Sequence, residues 1–155
     1  MTTMIKHEVE MACSPEQLFG YVTRPWLWHQ WHPNSMWAES NVEELGVGDR
    51  FHELYAITLF PPIPFKIKRH LHYEVLESIP NRLWRVRARG KDNEINFCYE
   101  FSPSKTGVLY TRTLTYELKG ISVVMTPWMR RRNREMSVEA LSNLKARAEA
   151  MERGE

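Results

Sequence analysis

Six histidines, a dense arginine run and a handful of carboxylates and tyrosines supply the reactive groups of this chain. His70 and His72 lie two apart, on one face of a strand. A simple hairpin through the Pro-rich segment Phe60–Phe65 sets His52 opposite His72, and three imidazoles then cluster. Such a cluster is the raw material of a metal site. It shares its face with Lys66 and Lys68, however, so we read a solvated polar face and assign no metal. His29 and His32 stand at i, i+3, with no carboxylate or third histidine nearby to complete a ligand set, and we read them as surface or packing residues. Cys13 and Cys98 show neither metal-type nor redox-type spacing. Both are read as reduced cysteines of an intracellular, cytoplasmic protein.

Acid–base chemistry has candidates but no signature. His7, His52, Glu53, Tyr55 and Tyr73 could reach an interior cavity, yet none stands at a spacing that demands catalysis. Arg69 and Arg112 fall among the apolar positions of two strands, and Arg85 lies on a third strand whose inner face the pattern leaves open. An inward Arg is costly unless a carboxylate meets it, from the protein or from a ligand. The densest charge is Arg130-Arg131-Arg132-Asn133-Arg134. It crowds a helix start and opposes the positive end of the helix dipole. With the apolar Phe60–Phe65 segment, Arg130, Arg131 and Arg134 allow a transient contact with an anionic membrane surface. No second basic stripe or recognition motif accompanies the run, so nucleic acid is not an expected partner.

These groups need elements to position them. Ile5 to Met11 alternates as a strand. Ser14, Pro15 and Gln17 mark a helix start, as N-cap, first-turn proline and capping-box partner, and Pro25 ends that helix. Trp26 to Pro33 reads as a short helical turn or two, with Trp28 and Trp31 on one side. Strands follow over Met36–Ser40, Phe51–Phe60, Phe65–Glu77, Leu83–Arg89, Ile95–Phe101 and Tyr110–Leu118, separated by turn residues. Trp84 and Val86 compete with Leu83 for the inner face of the fourth of these. The chain closes on a helix from Thr126, its predicted N-cap, to Arg153, with Gly154 as a stop. Met129, Met136, Ala140, Leu144 and Met151 form its apolar stripe, widened by Leu141 and Ala148 and interrupted by Asn133 and Ser137.

Strands joined by tight turns pair antiparallel, and such a sheet has one face to bury. Only the last helix is large enough to cover it. The expected class is therefore α+β, a curved antiparallel sheet gripping a helix. At 155 residues one domain, residues 1–155, is expected. A net charge of +2 and a 43% hydrophobic share are ordinary for a globular chain. The N-terminus lacks the apolar run of a signal peptide.

Four fragments carry a family likeness: Ser14–Phe19, the Trp28–Pro33 segment, Val47-Gly48-Asp49-Arg50-Phe51, and Leu141-Ser142-Asn143-Leu144-Lys145. In this order they resemble the START-like, polyketide cyclase/dehydrase superfamily (SRPBCC), which has the helix-grip fold. The resemblance implies about seven antiparallel strands, two short helices after the first strand, and a cavity between sheet and C-terminal helix. It implies a hydrophobic ligand such as a lipid, polyketide or aromatic acid, or a cyclase/dehydrase-like reaction in the same cavity. No shared catalytic set and no cofactor come with it. From strand phase and helix stripe, the expected lining is Trp31, Tyr55, Leu71, Tyr73, Phe97, Tyr99, Leu114, Tyr116, Met129, Met136 and Ala140. Arg69, Arg112 and Asn133 are the groups expected to orient a polar or acidic ligand end. A monomer or homodimer is compatible with the sequence.

Overall fold

A computed structural model describes residues 2–58, 62–91 and 93–154, with the backbone alone at 121 and 122. There are seven strands among the described residues: β1 (Thr3–Met11), β2 (Ser35–Ser40), β3 (Arg50–Thr58), β4 (Lys66–Ile79), β5 (Leu83–Arg89), β6 (Asn93–Pro103) and β7 (Val108–Leu118). They form one sheet in the order β1-β7-β6-β5-β4-β3-β2, every pair antiparallel. Helix α1 (Pro15–Val22) and a 3₁₀ turn (Pro25–Gln30) follow β1, and helix α2 (Thr126–Glu152) closes the chain. This is the helix-grip arrangement. Among the described residues no helix is long and apolar enough to cross a membrane.

Local chemistry explains most boundaries. The Ser14 hydroxyl accepts from the Gln17 N–H at 3.1 Å and Pro15 opens α1. The Gln17 amide meets Glu152 of α2 rather than closing the box on itself. Asn81 takes a left-handed φ of 65° in the β4–β5 turn, where its short polar side chain tolerates it. Gly107, in the β6–β7 turn, is required by space: a Cβ there would stand 2.5 Å from the carbonyl oxygens of Met11 and Cys13. Gly154 ends α2 at a φ of 79°.

The start of α2 differs from expectation. Thr126 is not its N-cap. A 3₁₀ turn over Gly120–Met125 runs straight into the helix, and Thr126, already helical, donates its hydroxyl to the Val123 carbonyl at 2.7 Å. Upstream turn carbonyls thus do what a capping side chain would do elsewhere.

The two halves of α2 do different work. Ala140, Leu141, Leu144 and Ala148 are buried in the core, while Met151, expected on the same stripe, is 37% exposed. Lys145 donates to the Glu10 carbonyl, and Glu149 accepts from the Ala12 N–H at 2.8 Å, so this half is clamped to β1 and its exit. The first half lies over the middle of the sheet. Trp28 packs edge-on against Phe51, Tyr73 and Trp84 of the sheet.

Candidate functional site

Alternation brings Phe51, Glu53 and Tyr55 of β3, Tyr73 of β4, Ile95, Phe97 and Tyr99 of β6, and Arg112 and Leu114 of β7 to the concave face. Between that face and Asn133, Met136 and Ser137 of α2 lies a cavity of about 50 Å³, closed at one end by Trp28, Trp31, His32 and Asn34. A space of this size holds a few waters; ligand pockets usually reach ~300–1,000 Å³.

Its wall is aromatic, but two charges point into it. Arg112 is 5% exposed. Its Nη1 donates to the Ser137 hydroxyl at 2.6 Å, and its guanidinium carbon sits 5.3 Å from the centre of the Phe97 ring. Its Nε has no hydrogen-bond partner. Glu53 is 3% exposed and accepts from the Tyr73 hydroxyl at 2.6 Å. Burial pushes its carboxyl above the usual range, while the nearby hydroxyls of Ser35 and Tyr73 and the Arg112 charge hold it back. No direct ion pair joins Arg112 and Glu53. They are two desolvated ionisable groups sharing one small space.

The remaining polar groups are held neutral. His32 accepts the Asn34 N–H at Nδ1, which leaves its proton on Nε2. Burial, helped by Arg112, lowers its pKa to about 3. Burial likewise raises the Tyr55 hydroxyl to about 12, while Asn34 donates to it at 3.2 Å. Burial drives Tyr73 well above its ordinary value too, with Glu53 adding to the shift.

The sequence profile of a family described as polyketide cyclase/dehydrase and lipid transport matches residues 2–149. The chain belongs to that family. No curated protein matches it significantly. A START superfamily protein from Mycobacterium smegmatis superposes with a TM-score of 0.75 at 15% identity, over 96% of this chain and 98% of that one. A Thermus thermophilus protein gives 0.73 at 16%, over 96% and 99%. One from Chromobacterium violaceum gives 0.70 at 15%, over 94% and 97%. At such identities these three speak for the START-like fold alone.

Within this START-like frame, the structure brings together Trp31, Tyr55, Tyr73, Phe97, Tyr99, Arg112, Leu114, Asn133 and Met136 around the cavity. Leu71, Tyr116 and Ala140 are buried in the core but do not line it, and Met129 is half-buried outside it. Arg69 does not orient anything there. It has the inward parity of Leu71 and Tyr73, but β4 is paired there with β3 alone, its pairing with β5 starting only at His72, and the exposed guanidinium folds onto the Lys68 carbonyl. Arg85 faces outward and pairs with Glu77, because Trp84, Val86 and Ala88 take the inside of β5.

Trp28, His32, Asn34 and Ile95 were missed as lining residues. Glu53, read in the sequence as able to reach a cavity, does line it, and Ser137, read only as a break in the apolar stripe of α2, lines it too. His32 carried a usable signal, since Trp31-His32-Pro33 ends a helical turn beside the sheet.

The outer face shows the expected register: His52 pairs with His72. The His52 and His72 rings stack at 4.7 Å, and His52 Nε2 lies 2.8 Å from His70 Nδ1. Among the described residues no three ligating side chains converge on a metal position. Of the Phe60–Phe65 segment, Phe60 and Pro61 lie outside the described residues, as does Asp92 between β5 and β6.

Proposed function

We propose that the protein binds a hydrophobic small molecule with an acidic or other accepting end, seated between the sheet and the first half of α2. One observation carries this reading: a buried arginine, Arg112, keeps an unpartnered Nε–H in an aromatic-walled cavity. A buried guanidinium with no carboxylate bonded to it is costly, and the acidic end of a ligand would offset that cost. Lipids, polyketides and aromatic acids all fit the description. The family's association with polyketide chemistry and lipid transport agrees with it.

Native mass spectrometry of the purified protein, followed by denaturing extraction, tests the reading. A stoichiometric organic acid or lipid is the expected result. A thermal-shift panel of fatty acids, sterols and aromatic acids should then raise the melting temperature of wild type and not of Arg112→Gln. An empty protein with no shift from any panel member overturns the reading.

Glu53 favours a second reading, a cyclase/dehydrase-like activity. A carboxyl whose pKa is raised toward neutrality, in a cavity with a fixed cation, suits proton transfer next to a carbonyl. Wild type incubated with a linear poly-β-ketone should form a cyclised or dehydrated product that Glu53→Gln does not. Product formation no faster than in buffer removes this reading.

A further inference from the structure

The end of the molecule where α2 begins carries side chains that neither core nor cavity uses. Four large apolar residues stand out of two connections there. Ile63 is 60% and Phe65 58% exposed after β3, and Val123 is 51% and Val124 81% exposed in the 3₁₀ turn before α2. Arg132 ties the two connections together. It is buried near the start of α2, and its Nε donates to the carbonyl of Thr58, the last residue of β3, at 3.1 Å.

The same end is strongly basic. Residues 62–69 and 117–135 hold Lys66, Lys68, Arg69, Lys119, Arg130, Arg131, Arg132 and Arg134 against the carboxylates Glu117 and Glu135. Glu135 is already engaged by Arg131 and Arg132. Arg131, Arg134, Lys66, Lys68 and Arg69 are exposed.

We propose that this end docks on the surface of an anionic lipid bilayer. Ile63, Phe65, Val123 and Val124 enter the headgroup boundary, and the basic residues between and behind them lie over lipid phosphates. The pattern is four separate apolar tips among cations. A bilayer meets it everywhere, being apolar beneath and negative on top. A protein partner would need an acidic rim built around matching apolar pockets. Asn133, inside the basic run of α2, and Met136, two residues after it, line the cavity, so docking holds the cavity half of the helix close to the lipid. The inference stands whether or not the bound molecule is itself a lipid.

Vesicle flotation of the full chain tests it. The probes are phosphatidylcholine alone and phosphatidylcholine mixed with phosphatidylglycerol, at about 0.05 M and about 0.5 M salt. Wild type should float with the anionic vesicles at low salt, stay behind with the neutral ones, and be released at high salt. Ile63→Glu with Phe65→Glu, and separately Arg131→Glu with Arg134→Glu, should each weaken binding at least ~10-fold, since one basic residue near such a surface is worth about fivefold. All four positions are exposed, so unchanged melting curves will show intact folds. Wild type that ignores anionic vesicles, or variants that float equally well, would overturn the proposal. So would a concentration-dependent dimer in ultracentrifugation that the same variants dissolve, because a second copy would then be the occupant.

Discussion

The two faces of the sheet handle charge in opposite ways. On the outer face Arg87 meets Glu74 at 3.1 Å, Arg89 meets Glu94 at 3.1 Å, and Arg85 meets Glu77 at 3.3 Å. Every one of these groups keeps access to water, so each pair is inexpensive and contributes little. On the inner face Arg112 and Glu53 are nearly waterless and do not touch. Keeping them costs far more than replacing them with apolar residues would. The outer charges serve solubility and strand pairing. The inner two are the costly kind of charge, and the proposed ligand with an acidic or other accepting end would offset that cost.

The largest expected effect lies in the wall behind the site. Trp84 is fully buried on β5 and packs on Trp28, Phe51 and Tyr99. Trp84→Ala should cost roughly 3–5 kcal/mol in denaturant unfolding. A loss under about 1 kcal/mol would mean that the inner face is loosely packed, and the contrast would weaken.

The next test addresses the two inner charges directly. Arg112→Met leaves Glu53 with no cation in the cavity and should destabilise by about 3 kcal/mol. Adding Glu53→Gln to that variant should recover most of the loss. Additive losses in this double-mutant cycle would show that the two groups do not sense each other.

Acid sharpens the comparison further. The His32 pKa is about 3 in the folded protein against an ordinary 6.5, so the unfolded chain takes up the proton first. Its contribution to stability is full above about 6.5 and is lost as pH falls toward about 3, by up to ~1.4 kcal/mol per pH unit. Glu53 runs the other way. Its raised pKa makes its contribution largest below the ordinary glutamate range and smaller as pH rises through the folded value. Melting temperatures against pH should therefore fall less steeply in acid for His32→Gln than for wild type, and decline less toward neutral pH for Glu53→Gln. Curves parallel to wild type would remove both assignments.

The smallest effect belongs outside. Arg85→Ala breaks an ion pair whose side chains are 48% and 41% exposed, and should change stability by less than ~1 kcal/mol. A larger loss would make the outer pairs structural and erase the distinction drawn between the faces.

Much of this architecture is written locally. Alternation along β6 and β7 marks Phe97, Tyr99, Arg112 and Leu114 as inward, because side-chain direction along a strand flips with every residue. Ser14, Pro15 and Gly154 mark helix ends through hydrogen bonds and backbone angles their neighbours alone specify. The His52–His72 register follows from a short connection. Parity, however, says which way a residue points and nothing about what covers it. Arg69 and Arg112 have the same inward parity, yet one is exposed to solvent and the other lies beneath α2. Thr126 looks like a cap until a preceding 3₁₀ turn makes one unnecessary. That Glu53 faces the same 50 Å³ as Arg112 depends on β3 and β7, four places apart in the sheet, curling around one helix. Sheet curvature and helix placement come from packing the whole core at once, and no stretch of sequence contains them.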